Sequence, residues 1–210
     1  MLQQILLFAI FISGLFFIIF DYRNKARLRY IFKPLTTLLI ILLAVLQETE
    51  VSEYYKYLII TGLIFSLAGD IFLMLPKDRF IAGLGSFFIA HLFFIFAFSS
   101  DFGPYLGWGY LIPLILYVAI FLKILLPHTK KMTIPVITYA LVLLAFLWQA
   151  SGRAYILGGS SPALAFFGAV FFVASDSILA YDRFVKGYKY ATLFIMLTYW
   201  LAQVFIALSI

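Results

Sequence analysis

Apolar residues run in long stretches, and eight can be marked at approximately 4–20, 30–46, 56–75, 80–98, 104–125, 133–150, 163–182 and 189–209. None alternates apolar and polar positions as the wall of a membrane barrel must, and each is about twice the length of a membrane strand. At about 1.5 Å per residue, stretches of this length cross a hydrocarbon core of roughly 30 Å. The pattern predicts an all-α integral membrane protein of eight transmembrane helices, forming one domain over residues 1–210. The first stretch is predicted to be a true span and not a signal peptide. Gln3 and Gln4 stand where a basic start belongs, and Asp21, Arg23, Lys25, Arg27 and Arg29 replace a small-residue cleavage site.

Composition excludes several classes. Of the 210 residues, 65% are hydrophobic and 11% charged, where a soluble domain carries about 25% charged residues, so a water-soluble globule is excluded. The absence of cysteine removes disulfides, thiolate zinc sites and cysteine nucleophiles together. A net charge of +6 points to nucleic acid only until the cations are located. Thirteen of the 15 lysines and arginines fall in alternate connections: Arg23 to Lys33, Lys77 and Arg79, Lys123 to Lys131, and Arg183 to Lys189. Lys56 and Arg153 are on the other side, with Glu48, Glu50, Glu53 and Asp101. Such a split reads as topology, with the basic connections cytoplasmic and both termini outside, in the plasma (inner) membrane if the source is bacterial. The bilayer is the expected environment, no nucleic-acid partner is expected, and the oligomeric state is left open.

The third and seventh stretches repeat one another. Gly62-Leu-Ile-Phe-Ser-Leu-Ala-Gly-Asp70-Ile-Phe-Leu73 aligns with Gly168-Ala-Val-Phe-Phe-Val-Ala-Ser-Asp176-Ser-Ile-Leu179, and both run on to Asp-Arg-Phe, at 78–80 and 182–184. Pro34 and Pro135 occupy first turns of the second and sixth stretches, where proline costs no hydrogen bond. Four helices separate each pair, which predicts two parallel four-helix repeats, about 1–100 and 101–210.

Asp70 and Asp176 are the acidic residues inside spans and away from their ends. A carboxylate in hydrocarbon costs roughly 2.5–3.5 kcal/mol on insertion scales unless it faces a polar interior. Each is predicted about 8–9 Å from the basic end of its helix at helical rise. The repeat would set them across one cavity, an arrangement suited to paired acid/base work, with one group protonated and one ionised. The bland alternative is that each pairs with a cation for structure.

His91 is the one histidine inside a span, on a face with Gly83 and Phe87. It suits substrate contact, proton transfer or plain packing, whereas His128 is expected in solvent. With Asp70 and Asp176 it could just supply three metal ligands, but no local ligand pairing nucleates a site, and no metal or other cofactor is expected. Lys33 and Arg183, at the basic ends, could hold a phosphate or carboxylate, or simply anchor helices to head groups. Ser66, Ser175 and Ser177 surround the aspartates at helical spacing, and Tyr139, Tyr199 and Gln203 add polar groups to the sixth and eighth spans. No Gly-x-Ser-x-Gly elbow is present, which argues against a serine hydrolase. Trp108, Trp148, Tyr54 and Tyr55 are expected in an interfacial belt.

Taken in order, these motifs resemble those of the YhhN-like lysoplasmalogenases. The resemblance rests on Lys33-Pro34-Leu35, Gly69-Asp70-x-x-Leu73, Phe80-x-x-Gly83-Leu84-x-x-Phe87-x-x-x-His91, Pro135-x-x-x-Tyr139, Gly168-Ala169-x-Phe171-x-x-Ser175-Asp176-x-x-Leu179-Ala180 with Arg183-Phe184, and Tyr199-x-x-Ala202-Gln203, and it covers nearly the whole chain. It implies hydrolysis of the vinyl-ether bond of a lysophospholipid substrate, a lysoplasmalogen, to a long-chain aldehyde and a glycerophospho-ethanolamine or -choline. A vinyl ether is cleaved by protonating the alkene carbon remote from its oxygen and adding water to the resulting oxocarbenium ion, so two carboxyl groups suffice. Asp70 and Asp176 are the expected pair, with His91 tuning one of them or positioning water. Lys33 and Arg183 are the expected phosphate contacts, and Ser175, Tyr139, Tyr199 and Gln203 the further substrate contacts. The rival from another class is a proton-coupled transporter of a small molecule or lipid, which also uses repeats and paired intramembrane acids. Against it, the acids sit toward one side and no helix is broken in mid-span.

Overall fold

A computed structural model describes residues 1–210. The chain forms eight α-helices and no strands: α1 (Leu2–Tyr22), α2 (Ala26–Leu46), α3 (Glu53–Met74), α4 (Phe80–Ser99), α5 (Leu111–Thr129), α6 (Thr133–Leu157), α7 (Ser160–Phe184) and α8 (Ala191–Leu208). A 3₁₀ turn, Lys130–Met132, joins α5 to α6 without a gap. Seven helical stretches are long and apolar enough to cross a membrane, with 111–157 counted as one. Within that stretch the chain reverses at Lys130, whose φ is 47°. The facing pairs Leu125 with Val136 and Leu114 with Leu147 line one cavity, as expected of antiparallel neighbours. Large apolar side chains such as Phe8, Phe11, Ile112 and Leu116 remain more than half exposed. Such a surface requires lipid around it: the protein is a multi-pass integral membrane protein.

Local sequence sets the helix limits. Ser52 caps α3, its hydroxyl accepting from the Tyr55 amide at 3.1 Å. Pro76 forbids helical geometry at Leu75 and stops α3 at Met74, whereas α7 runs on to Phe184 with no proline behind it. α2 begins at Ala26, earlier than its apolar stretch, so Pro34 lies in its third turn and leaves the Tyr30 carbonyl without its helical donor. Pro135 does lie in the first turn of α6. Residues 104–110, expected to open the fifth helix, stay outside it because Pro104, Gly107 and Gly109 disfavour helix.

Helices α2, α3, α4, α6, α7 and α8 close into a ring, each packing on the next, with α8 returning to α2. α1 flanks α2 and α8, and α5 flanks α6 and α7. Two sets of contacts identify the ends of the bundle. Asp78 meets Arg183, and the Tyr22 ring lies 6.5 Å from that of Tyr190, at the end rich in lysine and arginine. At the other end the Glu50 amide donates to the Ile210 carbonyl, and Arg153 meets Asp101 at 2.8 Å. Arg153 is fully buried, lies over the Tyr55 ring at 4.6 Å and donates to Ser161. Tyr55 is therefore interior, its hydroxyl bonded to Ser209, and not part of an interfacial belt. Close approach inside the ring depends on small residues. A Cβ on Gly69 of α3 would fall 2.6 Å from the Phe87 ring of α4, and one on Gly168 of α7 would fall 3.0 Å from the Ala202 carbonyl of α8.

Candidate active site

Asp70 sits one turn before the basic end of α3 and is 1% exposed. Its Oδ1 is 3.1 Å from Lys33 Nζ of α2. Its Oδ2 accepts from Thr37 Oγ1 of α2 at 2.8 Å and from the Tyr199 hydroxyl of α8 at 2.9 Å. Lys33 and Thr37 reach it together because residues four apart share a helix face. An isolated buried carboxylate would cost several kcal/mol, and a cation with two hydroxyl donors offsets that cost. A cation and two hydroxyl donors thus surround the Asp70 carboxyl.

Asp176 on α7 has a different neighbourhood. Its Oδ2 accepts from the Tyr139 hydroxyl of α6 at 2.5 Å, and none of the four ion pairs in the protein involves it. A neutral phenol as partner, with no cation, suits a carboxylic acid. The adjacent serines serve the backbone: Ser175 donates to the Ile195 carbonyl at 3.0 Å, fastening α7 to α8, and Ser177 donates to Val173 while pairing with the Tyr117 hydroxyl of α5 at 2.6 Å.

Two chambers meet at these groups. A polar one opens at the basic end and is lined by Arg29, Tyr30, Lys33, Asp70, Ser175, Asp176, Asp182, Thr192 and Tyr199 among others. The second lies among α5, α6, α7 and the facing ends of α3 and α4. Nineteen of its 21 lining residues are hydrophobic, and the exceptions are Asp176 and Ser177. Leu73, Phe87, Asp176 and Leu179 line both chambers and form the partition between them. Asp70 faces the polar side alone, so Asp176 is the one ionisable carboxyl in contact with both.

The geometry brings together Asp70, Lys33 and Tyr199 directly, Asp176 with Tyr139, and Ser175 at the chamber wall. Three expected residues lie elsewhere. His91 lines neither chamber: it is fully buried behind Phe87, its Nδ1 2.6 Å from the Phe87 carbonyl, its ring edge-on to Phe172 and Phe146 at 4.5 and 4.8 Å. It does not meet the two aspartates as a ligand set, and no group of three metal-binding side chains is gathered anywhere in the chain. Arg183 turns away to Asp78 at 2.5 Å, over the Phe80 ring, and is 43% exposed. The Phe80 amide and then Arg183 hold the Asp78 carboxyl below the usual carboxylate range. Gln203 is fully buried one turn beyond Tyr199, with its amide unpartnered.

Residues outside the sequence-based set also line the site. Arg29, one turn before Lys33, reaches the polar chamber while paired with Asp21 at 2.7 Å, and Thr37, one turn after, bonds Asp70. The spacing Arg29, Lys33, Thr37 puts all three on one face of α2, and that signal was open to reading. Tyr30 and Thr192 left no comparable mark.

Known relatives match this chain over most of its length. A Homo sapiens protein named lysoplasmalogenase TMEM86B is 38% identical over 156 residues, covering 74% of this chain and 64% of the relative. The Mus musculus protein of the same name is 36% identical over 150 residues, 70% of this chain and 61% of the relative. The matched region thus spans somewhat under two thirds of these relatives. An Escherichia coli O157:H7 protein named uncharacterized membrane protein YhhN is 31% identical over 172 residues, 80% of each chain. No solved structure matches. The model of the YhhN family matches residues 28–210, from the first turn of α2 through α8, and takes in both chambers apart from Phe17 of α1; the chain belongs to the YhhN family.

Proposed function

We propose that this protein is a membrane-embedded lysoplasmalogenase. It cleaves the vinyl-ether bond of a lysophospholipid to give a long-chain aldehyde and a glycerophospho-ethanolamine or -choline. The observation that carries the reading is the position of Asp176, the one ionisable carboxyl exposed to both the polar and the apolar chamber. A lysoplasmalogen has its labile bond where a polar head joins a single chain, so head in one chamber and chain in the other sets that bond against Asp176. The names of the human and mouse relatives support the same chemistry.

In this mechanism Asp176 is the acid and Asp70 the carboxylate. Asp176 gives its proton to the alkene carbon that bears the alkyl chain, and the ether oxygen shares the positive charge on the adjoining carbon. Asp70, ionised beside Lys33, Thr37 and Tyr199, faces that cation and accepts a proton from the water that adds to it. The hemiacetal then collapses: its hydroxyl proton returns to Asp176, the C–O bond to glycerol breaks, and the glycerol oxygen takes the proton from Asp70. The balance is one water consumed, one aldehyde and one alcohol formed, and both carboxyl groups restored. Tyr139 orients Asp176, and Arg29 and Lys33 receive the phosphate. His91 meets the Phe87 carbonyl and packs on Phe172, which in turn meets the Phe87 ring, and is a positioning residue.

All eight helices cross the membrane in this reading, as one domain, with the basic end cytoplasmic and residues 1 and 210 on the outer side, in the plasma membrane if the source is bacterial. Two parallel repeats are supported by the contact pattern. α3 pairs with α4 as α7 pairs with α8, and the ring closes through α4 on α6 and α8 on α2. Each aspartate takes a hydroxyl from the helix before it, Thr37 for Asp70 and Tyr139 for Asp176. The test is product analysis with purified protein and a lysoplasmalogen. Aldehyde as the product supports the proposal, and fatty acid release or pure transport in liposomes contradicts it.

A further inference from the structure

The lining of the apolar chamber stops at Leu114 and Leu147, and what stands next along α6 is specific. Along α6 the lining runs from Tyr139, which holds Asp176, to Leu147, eight residues or about 12 Å further from the basic end at helical rise. Leu114 of α5 faces the same far end. Immediately beyond, Trp148 donates its indole N–H to the Gly107 carbonyl at 3.0 Å. Gln149 bonds both the amide and the carbonyl of Tyr105, at 2.8 and 3.0 Å. The Tyr105 ring lies 6.1 Å from that of Trp148. The segment between α4 and α5 is thereby pinned to α6 just past Leu147, held by four separate contacts.

From this geometry we propose that Leu114 and Leu147 set the length of the alkyl chain the site accepts, with the Tyr105–Trp148 pair as its stop. The inference rests on the reading of the apolar chamber as the chain site. A saturated chain has no polar group with which to choose among positions, so its register against Asp176 is fixed by where its far end meets resistance. A chain too long for the distance from Asp176 to that pair must buckle or withdraw, and withdrawal carries the vinyl ether away from the acid. Misplacement by about 1 Å is enough to lower rates on the order of 100-fold. Chain-length selectivity then appears in kcat as well as in KM.

The experiment compares wild type, Leu114→Trp and Leu147→Trp on lysoplasmalogens with octenyl and dodecenyl chains, the longer of which just spans the chamber from Asp176 to Leu147. Leu116→Trp, on the lipid-exposed face of α5, is the control for adding a large ring to that helix. The expected result is that the ratio of kcat/KM for the long chain over the short one falls at least tenfold in both chamber variants and stays within about twofold of wild type in Leu116→Trp. An unchanged ratio in both chamber variants, or an equal shift in the control, overturns the proposal. Binding of non-hydrolysable 1-O-alkyl lysophospholipids of the same two lengths is measured in parallel. If wild type releases no aldehyde, the hydrolase reading fails, and the binding ratio still decides whether these leucines measure the chain. Should a chamber variant not fold, Leu147→Phe fills part of the same space and is read in the same way.

Discussion

The two aspartates differ in what touches them, and the proposed mechanism divides the labour between them on that difference. Asp70 has a cation and two hydroxyl donors, and Asp176 a single phenol. Removing Lys33 alone leaves a buried, uncompensated carboxylate: Lys33→Met is expected to cost about 3 kcal/mol or more. The same change in an Asp70→Asn background should cost much less, because the charge to be balanced has gone. Thermal melting of the four proteins in one detergent measures this cycle, and equal losses in both backgrounds would separate Lys33 from Asp70. Tyr139→Phe removes only the hydroxyl that orients Asp176. It is expected to lower kcat roughly 10- to 100-fold at unchanged melting temperature, read by initial rates of aldehyde release.

What the sequence displays at this scale is conspicuous chemistry in an apolar background. Asp70 and Asp176 stand out because a carboxylate is costly in hydrocarbon, and the repeat around them reinforces the signal. Their partners are less visible. Thr37 is an ordinary residue of an apolar helix until its hydroxyl is seen on Asp70, and Arg29 merges with the basic cluster that marks topology. Arg183 shows the opposite error: helical spacing places it below Asp176, but Asp78 in the neighbouring turn is a nearer and opposite charge and takes it away from the chamber.

At the scale of elements, the apolar stretches locate the helices well and their ends less well. α6 extends to Leu157, past the apolar stretch that ends near residue 150, because Ser151 and Arg153 are buried among other polar groups at the far end of the bundle and do not mark an exit into water. Residues 104–110 look apolar enough to begin α5 and instead form the segment pinned to α6, where two glycines and a proline matter more than hydropathy. Close contacts join α3 to α4, where Gly69 meets Phe87 of the partition. Gly69→Leu is expected to destabilise the protein by about 1–3 kcal/mol, since a planar ring offers the new side chain little room. It should also raise KM by displacing Phe87. Melting temperature and steady-state kinetics of the variant measure both, and a stable variant with native kinetics would argue against the partition.

At the scale of the whole molecule, charge and lipid-facing surface decide orientation. Thirteen of 15 cations lie at one end, so a reporter fused after residue 210 is expected to be active outside and silent in the cytoplasm. The opposite pattern would invert the bundle and move the polar chamber to the outer side. The sequence legibly carries this end-to-end asymmetry. It does not carry the ring order or the meeting of two chambers at one carboxyl, because both depend on which faces of non-consecutive helices approach: α4 on α6, and α8 on α2.

The central claim is that two carboxyl groups of unlike surroundings hydrolyse a vinyl ether at the junction of the chambers. The most direct measurement is aldehyde release from a lysoplasmalogen by the purified wild type beside Asp70→Asn and Asp176→Asn, each shown by its melting curve to be folded. The account predicts a long-chain aldehyde from the wild type and a loss of at least about 1,000-fold in each variant. A folded Asp176→Asn protein that retains wild-type aldehyde release would contradict it.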